Sequence, residues 1–324
     1  ALFRGIPSTY SGDDLIGATA LEKAHGMEHP MQGFPLFETA LWAASGLGIE
    51  EYLEKIGTLW ASFGKTAVTH PYAWSKEAKN VRQIITPGPD NRPVAFPYTK
   101  YMNSYVTVDQ GAAVILMSDE KACRIADKNC RPVYFAGGGY AQDTQRFMVE
   151  KSDFTSSPPL GKAVEKALER SMIPLEDLDC FDLYSCFPSA VTIAKKMIGI
   201  SDDDSRPLTL TGGLGFFGGP GNNYSLHSIV TLAELISNGE KENGLITALG
   251  WFMHKHAAGI YSSRPADHFN TQADLEDHKF PLFGKPPVKI IEQVNGAGVI
   301  ETYTVIFSKD RQPLYALIYG RTDK

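Results

Sequence analysis

Three short segments of the sequence combine phenol, thiol or imidazole side chains with glycine. The tyrosine turn is Tyr184-Ser185-Cys186-Phe187, the glycine turn spans residues 211–223 and leads into Tyr224, and the histidine hairpin spans residues 248–256. Each follows a short apolar run of the kind that forms a buried strand. Phenols and imidazoles transfer protons, and glycines let the backbone approach a ligand closely. We therefore expect the three segments to converge at the strand ends of a layered α/β fold and to bind a ligand there.

Two phosphate-binding motifs and one metal-binding motif are present only in part. Gly64-Lys65-Thr66 lacks the earlier glycine of a P-loop, because that position holds Leu59. Gly213-x-Gly215-x-x-Gly218 fits a dinucleotide fingerprint, yet the turn continues for several residues before a helix can begin. His254 and His256 are too close in sequence to share a helix face, and no Cys or carboxylate cluster stands near them. The sequence thus predicts no metal site and no tightly bound cofactor.

The surrounding pattern predicts alternating helices and strands. Apolar stripes predict helices around residues 37–44 and 49–63, and a connector rich in proline and aromatic residues follows up to residue 104. The predicted strands are 112–117, 132–136, 180–184, 244–249 and 257–262, with helices at 160–172, from 188 and at 225–237. Beyond residue 281 the pattern becomes all-β, with strands expected at 288–293, 299–307 and 314–319.

Composition excludes several classes of protein. The chain has 324 residues, with 31 Lys+Arg against 37 Asp+Glu, and a net charge of −6 disfavours nucleic acid or an anionic membrane as partner. Four cysteines are too few for a disulfide scaffold and suit the reducing cytoplasm, where we expect the protein to act. Residues 112–117 are the longest clean apolar run, so no transmembrane segment is predicted.

The order of the three segments, together with Asp109-Gln110-Gly111-Ala112-Ala113, resembles the thiolase superfamily over roughly residues 34–264. It is most similar to thiolase-like proteins of the acetyl-CoA acetyltransferase type with an extra C-terminal β domain. The resemblance implies an α/β fold with part of a layered αβαβα core. Residues 1–104 would be the loop region and covering helices, 105–280 mainly the C-terminal half of the core, and 281–324 the start of an OB-like β domain. It also implies that the N-terminal half of the core is missing upstream of Ala1.

The resemblance also implies roles for residues in the three segments. Thiolases carry Asn-Glu-Ala-Phe, Gly-His-Pro and Cys-x-Gly where this chain has the tyrosine turn, Gly218-Gly219-Pro220 and Ala248-Leu249-Gly250. Their catalytic cysteines and histidine are therefore not retained. The remaining catalytic candidates are Tyr184, Tyr224, His227 and His256. The expected substrate-binding residues are Ser185, Cys186, Phe187, Gly218, Gly219, Pro220, Asn223 and Gly250.

Each candidate side chain also has a purely structural interpretation. Tyr184 can be a packed aromatic residue, Tyr224 can anchor the start of a helix, and Cys186 can be a small buried apolar residue. His227 can be a hydrogen-bonded core histidine, and His256 is as open to a structural as to a functional role.

Three functions follow from the resemblance. The first is acyl transfer on acyl-CoA thioesters, with coenzyme A entering as part of the substrate. The second is a lyase that cleaves a carbon–carbon bond of an acyl-CoA through Tyr184 and Tyr224, because these residues fall where thiolase-fold aldolases place their tyrosines. The third is acyl-CoA binding without catalysis. The expected macromolecular partner is a second copy of the chain or the missing N-terminal half.

Overall fold

The structure is a computed structural model that describes residues 17–125, 131–265 and 282–322. Its helices are α1 (Ala20–Ala24), α2 (Pro30–Ser45), α3 (Ile49–Thr69), α4 (Val81–Ile85), α5 (Asp119–Ile125), α6 (Pro158–Ser171), α7 (Pro188–Ile198) and α8 (Tyr224–Ser237). Its strands are β1 (Pro93–Ala95), β2 (Tyr98–Thr99), β3 (Tyr134–Asp143), β4 (Cys180–Asp182), β5 (Asn243–Gly250), β6 (Lys255–Ser262), β7 (Leu282–Phe283), β8 (Val299–Phe307) and β9 (Pro313–Arg321). None of the helices in these ranges is long and apolar enough to cross a membrane.

The strands form two sheets. The larger has the order β4-β5-β6-β3-β7, with β4 parallel to β5 and an antiparallel centre of β5, β6 and β3. The smaller has the order β2-β1-β8-β9, so the C-terminal hairpin pairs with a short strand far earlier in the chain. Helices α6 and α8 pack on the larger sheet, and α2 packs on β8. This is a mixed α/β fold with a β-rich C-terminal appendage, as the sequence predicts.

The contact between α6 and β3 depends on glycine. A Cβ at Gly139 would lie 1.9 Å from the carbonyl oxygen of Ala163, and a Cβ at Gly137 would lie 2.6 Å from that of Ala167. Any side chain at these positions would therefore push the helix away from the sheet. The two glycines set the distance between α6 and the antiparallel pair of β3 and β6, which carries the histidine hairpin.

Aromatic rings join the helical N-terminal region to the tyrosine turn. Phe187 stacks on Phe34 of α2, with ring centroids 4.7 Å apart, and on Tyr98 of β2 at 5.5 Å. Phe34 also contacts Phe252, between β5 and β6, at 6.2 Å. Such pairs add to the apolar burial of each ring. The stack fixes the tyrosine turn and the histidine hairpin against the same helix.

Two of the predicted strands are wrong. Residues 112–117 form no helix or strand, and Ile115 and Leu116 are 83% and 85% exposed. No backbone hydrogen bond joins residues 106–117 to another of the described residues. An apolar run forms a strand only beside a partner strand, and this run has none in the described ranges. The predicted strand at 288–293 is likewise irregular and mostly exposed.

The other predicted strands differ from the observed ones mainly in their ends. The strand expected at 132–136 is β3, which continues through three glycines to Asp143. The strand expected at 180–184 ends at Asp182, so Tyr184 belongs to the following turn. The strands expected at 244–249 and 257–262 are β5 and β6, each slightly longer than predicted.

Candidate functional site

Backbone pairing brings the tyrosine turn and the histidine hairpin to the same edge of the larger sheet. Because β4 runs parallel to β5, their carboxyl ends lie together, and the amide of Tyr184 donates to Thr247 Oγ1 at 2.9 Å. The amide of Leu183 donates to the Leu208 carbonyl at 3.0 Å, which aligns the chain before the glycine turn with β4. The three segments therefore meet at the strand ends, as expected for ligand sites in layered α/β folds.

Tyr184 and Tyr224 lie in direct contact. Their ring centroids are 5.7 Å apart and their planes are nearly perpendicular. Tyr184 is half-buried, whereas Tyr224 is wholly buried, with its hydroxyl 2.8 Å from Thr211 Oγ1 and 3.1 Å from Asp182 Oδ1. Burial raises the pKa of both phenols, and the Asp182 carboxylate raises that of Tyr224 further. Both phenols are thus protonated at neutral pH, and of the two only Tyr184 is open to a ligand.

Asp182 organises the site and was missed by the sequence analysis. Its buried carboxylate accepts hydrogen bonds from the amide of Leu210 at 2.7 Å and from the hydroxyl of Ser228 at 2.7 Å. Further donors to it are Thr209 Oγ1, the Thr211 amide and hydroxyl, and the Tyr224 hydroxyl. Burial raises the pKa of this carboxyl while the donors lower it. The available signal was a single carboxylate within the apolar run 180–184.

Two neutral histidines flank Phe217 of the glycine turn. The His227 ring packs on the Phe217 ring, with ring centroids 5.1 Å apart. Its Nε2 atom is 3.2 Å from Asn223 Nδ2. His70, which the sequence analysis did not single out, packs on the same ring at 5.0 Å. Burial lowers the pKa of His70 to about 4 and also lowers that of His227. Both imidazoles are therefore uncharged at neutral pH, and the Tyr72 amide already donates to Nδ1 of His70 at 3.2 Å.

His256 lies in a different environment. It is buried on β6, with Nε2 2.8 Å from Ser157 Oγ and 3.2 Å from the Met253 carbonyl oxygen. Burial lowers its pKa to about 3. These contacts tie it to the start of α6, whereas Tyr224 and His227 both contact Phe217. A catalytic role for His256 stays a prediction.

Residues 104–110 cover the glycine turn and the tyrosine turn. The Ser104 hydroxyl donates to the Cys186 carbonyl at 2.8 Å, and the Gly219 amide donates to the Tyr105 carbonyl at 2.8 Å. Gly218 has φ +131°, and a Cβ there would lie 2.4 Å from Gln110 Oε1. This segment therefore holds the glycine turn through hydrogen bonds to backbone groups, among them the bond from Gln110 Nε2 to the Phe217 carbonyl at 3.0 Å. A side chain at residue 218 would be strained by the positive φ and would displace the Gln110 side chain.

The remaining substrate-binding candidates lie around this cover. Ser185, Cys186 and Phe187 are buried, and Pro220 and Asn223 are partly exposed at the end of the glycine turn. Gly250 ends β5, opposite Lys255 of β6. Among the described residues, no group of three or more His, Cys, Asp or Glu side chains is placed to hold a metal ion.

The glycine turn yields a stability prediction at Gly212. This residue has φ +106°, and a Cβ there would lie 2.4 Å from Ala67 Cβ and 2.6 Å from Ala67 Cα in α3. We expect Gly212→Ala to lower the free energy of unfolding by about 3–4 kcal/mol, since left-handed strain and overpacking add. Gly199→Ala is the matched control, because Gly199 has φ +84° but no atom within 4 Å of a Cβ, and it should lose only about 1–2 kcal/mol. Equal losses in urea unfolding would contradict the close approach of the turn to α3.

The layered fold and its three converging segments define a thiolase-like protein, and comparisons with known proteins agree. A family model described as "Thiolase-like protein type 1 additional C-terminal domain" matches residues 282–324. The crystal structure of a monomeric SCP2-thiolase like protein type 1 from Mycobacterium smegmatis is 35% identical in sequence, with a TM-score of 0.82. The match covers 95% of this chain and 67% of that chain. The chain belongs to this family of SCP2-thiolase-like proteins of type 1.

A second solved structure shares the fold alone. It is the "Ltp2-ChsH2(DUF35) aldolase", which is 16% identical with a TM-score of 0.60 and covers 75% of this chain and 66% of that chain. The chain thus spans about two thirds of the length of each of these two structures. No curated protein matches the chain in sequence.

Proposed function

We propose that this chain binds an acyl-CoA thioester at the tyrosine turn and cleaves a carbon–carbon bond of its acyl group. The observation that carries the proposal is the position of Tyr184. This phenol is half-buried at the carboxyl end of β4, its ring lies edge-on against Tyr224, and burial raises its pKa. A protonated, positioned phenol is a hydrogen-bond donor for an oxygen that gains charge during a reaction.

The chemistry proposed is a retro-aldol cleavage of a β-hydroxyacyl thioester. A base takes the hydroxyl proton, the Cα–Cβ bond breaks, and its electron pair enters the thioester as an enolate. Bond cleavage releases an aldehyde or ketone, and the enolate carbon then takes the proton back from the protonated base, which gives a shorter acyl thioester. We assign Tyr184 as donor to the enolate oxygen and neutral His227 as the base. Nε2 of His227 now accepts from Asn223 and would exchange that bond for one from the substrate hydroxyl, and Phe217 contacts the rings of both His227 and Tyr224. Coenzyme A enters as part of the substrate, and no tightly bound cofactor is required.

Neither Cys180 nor Cys186 supports acyl transfer by a thiolate. Cys180 and Cys186 are both buried. Burial raises the pKa of Cys180 to about 12, and it raises that of Cys186 as well. Acyl transfer of the thiolase type needs a cysteine thiolate, which forms where the pKa is lowered. These thiols instead remain protonated, so neither is suited to be the nucleophile.

Acyl transfer is the second candidate function, and the family itself favours it. The relative from M. smegmatis is described as thiolase-like, and acyl transfer is the reaction that the superfamily resemblance implies. Under this candidate the nucleophile would come from a cysteine other than Cys180 and Cys186.

The experiment is Tyr184→Phe, assayed on a β-hydroxyacyl-CoA. We expect cleavage to slow about 100-fold or more, because one oxyanion donor is lost, while acyl-CoA affinity measured by calorimetry stays nearly unchanged. Tyr261→Phe is the matched control, since it removes a phenol from β6 outside the three segments, and it should retain activity.

Two outcomes would contradict the lyase proposal. Thiolysis of a β-ketoacyl-CoA that iodoacetamide abolishes, with no cleavage of the β-hydroxyacyl-CoA, would favour acyl transfer. Acyl-CoA binding without turnover in either assay would reduce the function to binding.

A further inference from the structure

Two adjoining cavities lie between the C-terminal hairpin, helix α1 and the segment that precedes β8. Their volumes are about 470 and 270 Å³, and Val149, Ile291 and Tyr319 line both. Ligand pockets for small molecules typically measure about 300–1,000 Å³. No residue of the tyrosine turn, the glycine turn or the histidine hairpin lines either cavity. The pair is therefore separate from the candidate active site.

A buried carboxylate joins three walls of these cavities. Glu22 of α1 accepts hydrogen bonds from the amide of Val149 at 2.8 Å and from the hydroxyl of Tyr319 at 3.3 Å. Its other oxygen accepts from the amide of Thr19, which precedes α1, at 2.7 Å. Helix α1, the turn at residue 149 and strand β9 are thus tied together by one side chain. The cavity shape is consequently preformed by hydrogen bonds and does not require a ligand to assemble it.

The larger cavity is walled mainly by aliphatic side chains. Its lining includes the buried Leu317, the partly buried Leu21, and the exposed Val294, Ile300 and Ile318. Val294 and Ile300 are 57% and 60% exposed, so water now covers aliphatic surface that a ligand chain would bury. Burial of apolar surface contributes about 25 cal/mol per Å². The larger cavity therefore suits a hydrocarbon chain.

The smaller cavity carries an excess of positive charge. Lys151, Lys289 and Arg321 line it against one carboxylate, that of Glu301. Lys151 is paired with Asp143 at 2.9 Å and Arg321 with Glu301 at 2.7 Å. Within the described ranges, no carboxylate lies within ion-pair distance of the exposed Lys289. An anionic group in this cavity would thus gain a charge partner at Lys289.

We propose that these cavities form a binding site for a single-chain anionic amphiphile, of which a fatty acid is the type. The hydrocarbon chain would lie in the larger cavity and the carboxylate in the smaller one, beside Lys289. Lys289 lines only the smaller cavity and Glu22 and Glu292 line only the larger one, which favours this orientation. Arg321 lines both cavities and is paired with Glu301, and His25 lines the larger cavity. The inference goes beyond the proposed function and does not depend on it.

The test is calorimetric titration of the full chain with dodecanoate, below its micelle-forming concentration. Ala316 lines the larger cavity on β9, and we expect Ala316→Trp to fill the space and lower dodecanoate affinity about tenfold or more. Leu314→Trp is the matched control, since Leu314 lies two residues earlier on the same strand, is exposed and lines neither cavity. It should bind as the parent does, and thermal unfolding of both variants reports whether the fold is intact.

The charge assignment has its own readout. We expect Lys289→Gln to weaken dodecanoate binding about fivefold and to leave the neutral 1-dodecanol unaffected. Dodecyltrimethylammonium, with the same chain and the opposite charge, should bind the parent more weakly than dodecanoate. If Ala316→Trp and Leu314→Trp bind dodecanoate equally, or if the cation binds as tightly as the anion, the proposal is wrong. Activity of the Tyr184 variants plays no part in this readout, so the two proposals fail independently.

Discussion

Asp182→Ala is expected to lower the free energy of unfolding by about 4 kcal/mol or more, a large part of the stability of an ordinary domain. The buried carboxylate accepts from Leu210, Ser228 and Tyr224, among other donors. Without it, amide and hydroxyl donors remain buried with no acceptor, and each such group costs about 1–3 kcal/mol. The glycine turn and the first turn of α8 would then lose the group that joins them to β4.

Two further variants test whether the loss of stability comes from the hydrogen bonds of Asp182 or from the removal of a negative charge. Asp182→Asn keeps one carbonyl acceptor and should lose about half as much stability as the alanine variant. Asp202→Ala is the surface control, because Asp202 is 73% exposed and pairs with Lys55 and Lys195. It should change stability by less than about 1 kcal/mol. Urea unfolding followed by circular dichroism measures all three. Similar losses for Asp182→Ala and Asp202→Ala would show that Asp182 does not hold the site together.

The second large effect is a pH dependence of stability at Glu38. This wholly buried carboxyl of α2 accepts from the hydroxyls of Tyr52 and Tyr98, each at 2.5 Å. Burial raises its pKa from 4.5 to about 7, although the two phenols and Ser189 lower it in part. The Tyr98 hydroxyl also lies 2.9 Å from Ser189 Oγ in α7, and its ring stacks on Phe187. The Glu38 network therefore supports the tyrosine turn through the contact between Tyr98 and Phe187.

The sign of the effect follows from the raised pKa. Between pH 4.5 and about 7 the folded chain holds a proton on Glu38 that the unfolded chain has released. The stability contributed by the neutral carboxyl is complete below pH 4.5 and is lost as the pH rises through about 7. A shift of this size corresponds to about 3 kcal/mol in the free energy of unfolding.

Glu38→Gln should remove this pH dependence. The amide keeps one acceptor and gains donors for the second phenol, so the variant should match or exceed the parent in stability above pH 7 and fall below it in acid. Urea unfolding of both proteins at several pH values measures the difference. Glu38→Leu serves as the contrast, because it leaves both phenols without an acceptor and should be less stable at every pH. Parallel pH profiles for the parent and the glutamine variant would contradict a raised pKa at Glu38.

The sequence could predict elements with a strong local pattern. The apolar stripe of residues 49–63 is α3, the proline at residue 188 begins α7, and the runs at 244–249 and 257–262 are β5 and β6. The tyrosine turn and the glycine turn could be found because polar and glycine residues interrupt apolar runs. Their convergence followed from a general rule for α/β sheets, and the contact between Tyr184 and Tyr224 agrees with it.

What the sequence could not predict depends on partners that are distant in the chain. The pairing of Ala95 with Ile306 joins segments more than two hundred residues apart, and no local pattern marks it. The same holds for His70, which reaches the glycine turn through Phe217, and for Glu38, whose two phenols come from α3 and β2. The strand predicted at 112–117 was wrong for a related reason. Its composition favours a strand, but it does not show whether a partner strand lies beside it.

The apolar segment 106–117 favours association between copies of the protein, which the net charge alone would not predict. A net charge of −6 keeps copies of a protein apart, yet residues 106–117 carry a single carboxylate, Asp109, and no proline. They present exposed aliphatic side chains and form no helix or strand, and their composition is that of a segment prone to cross-β stacking. We therefore expect this segment to promote association between copies. Replacing Ile115 or Leu116 by lysine would place a charge inside this segment and oppose its stacking. Added charge elsewhere on the surface would leave the apolar segment unchanged.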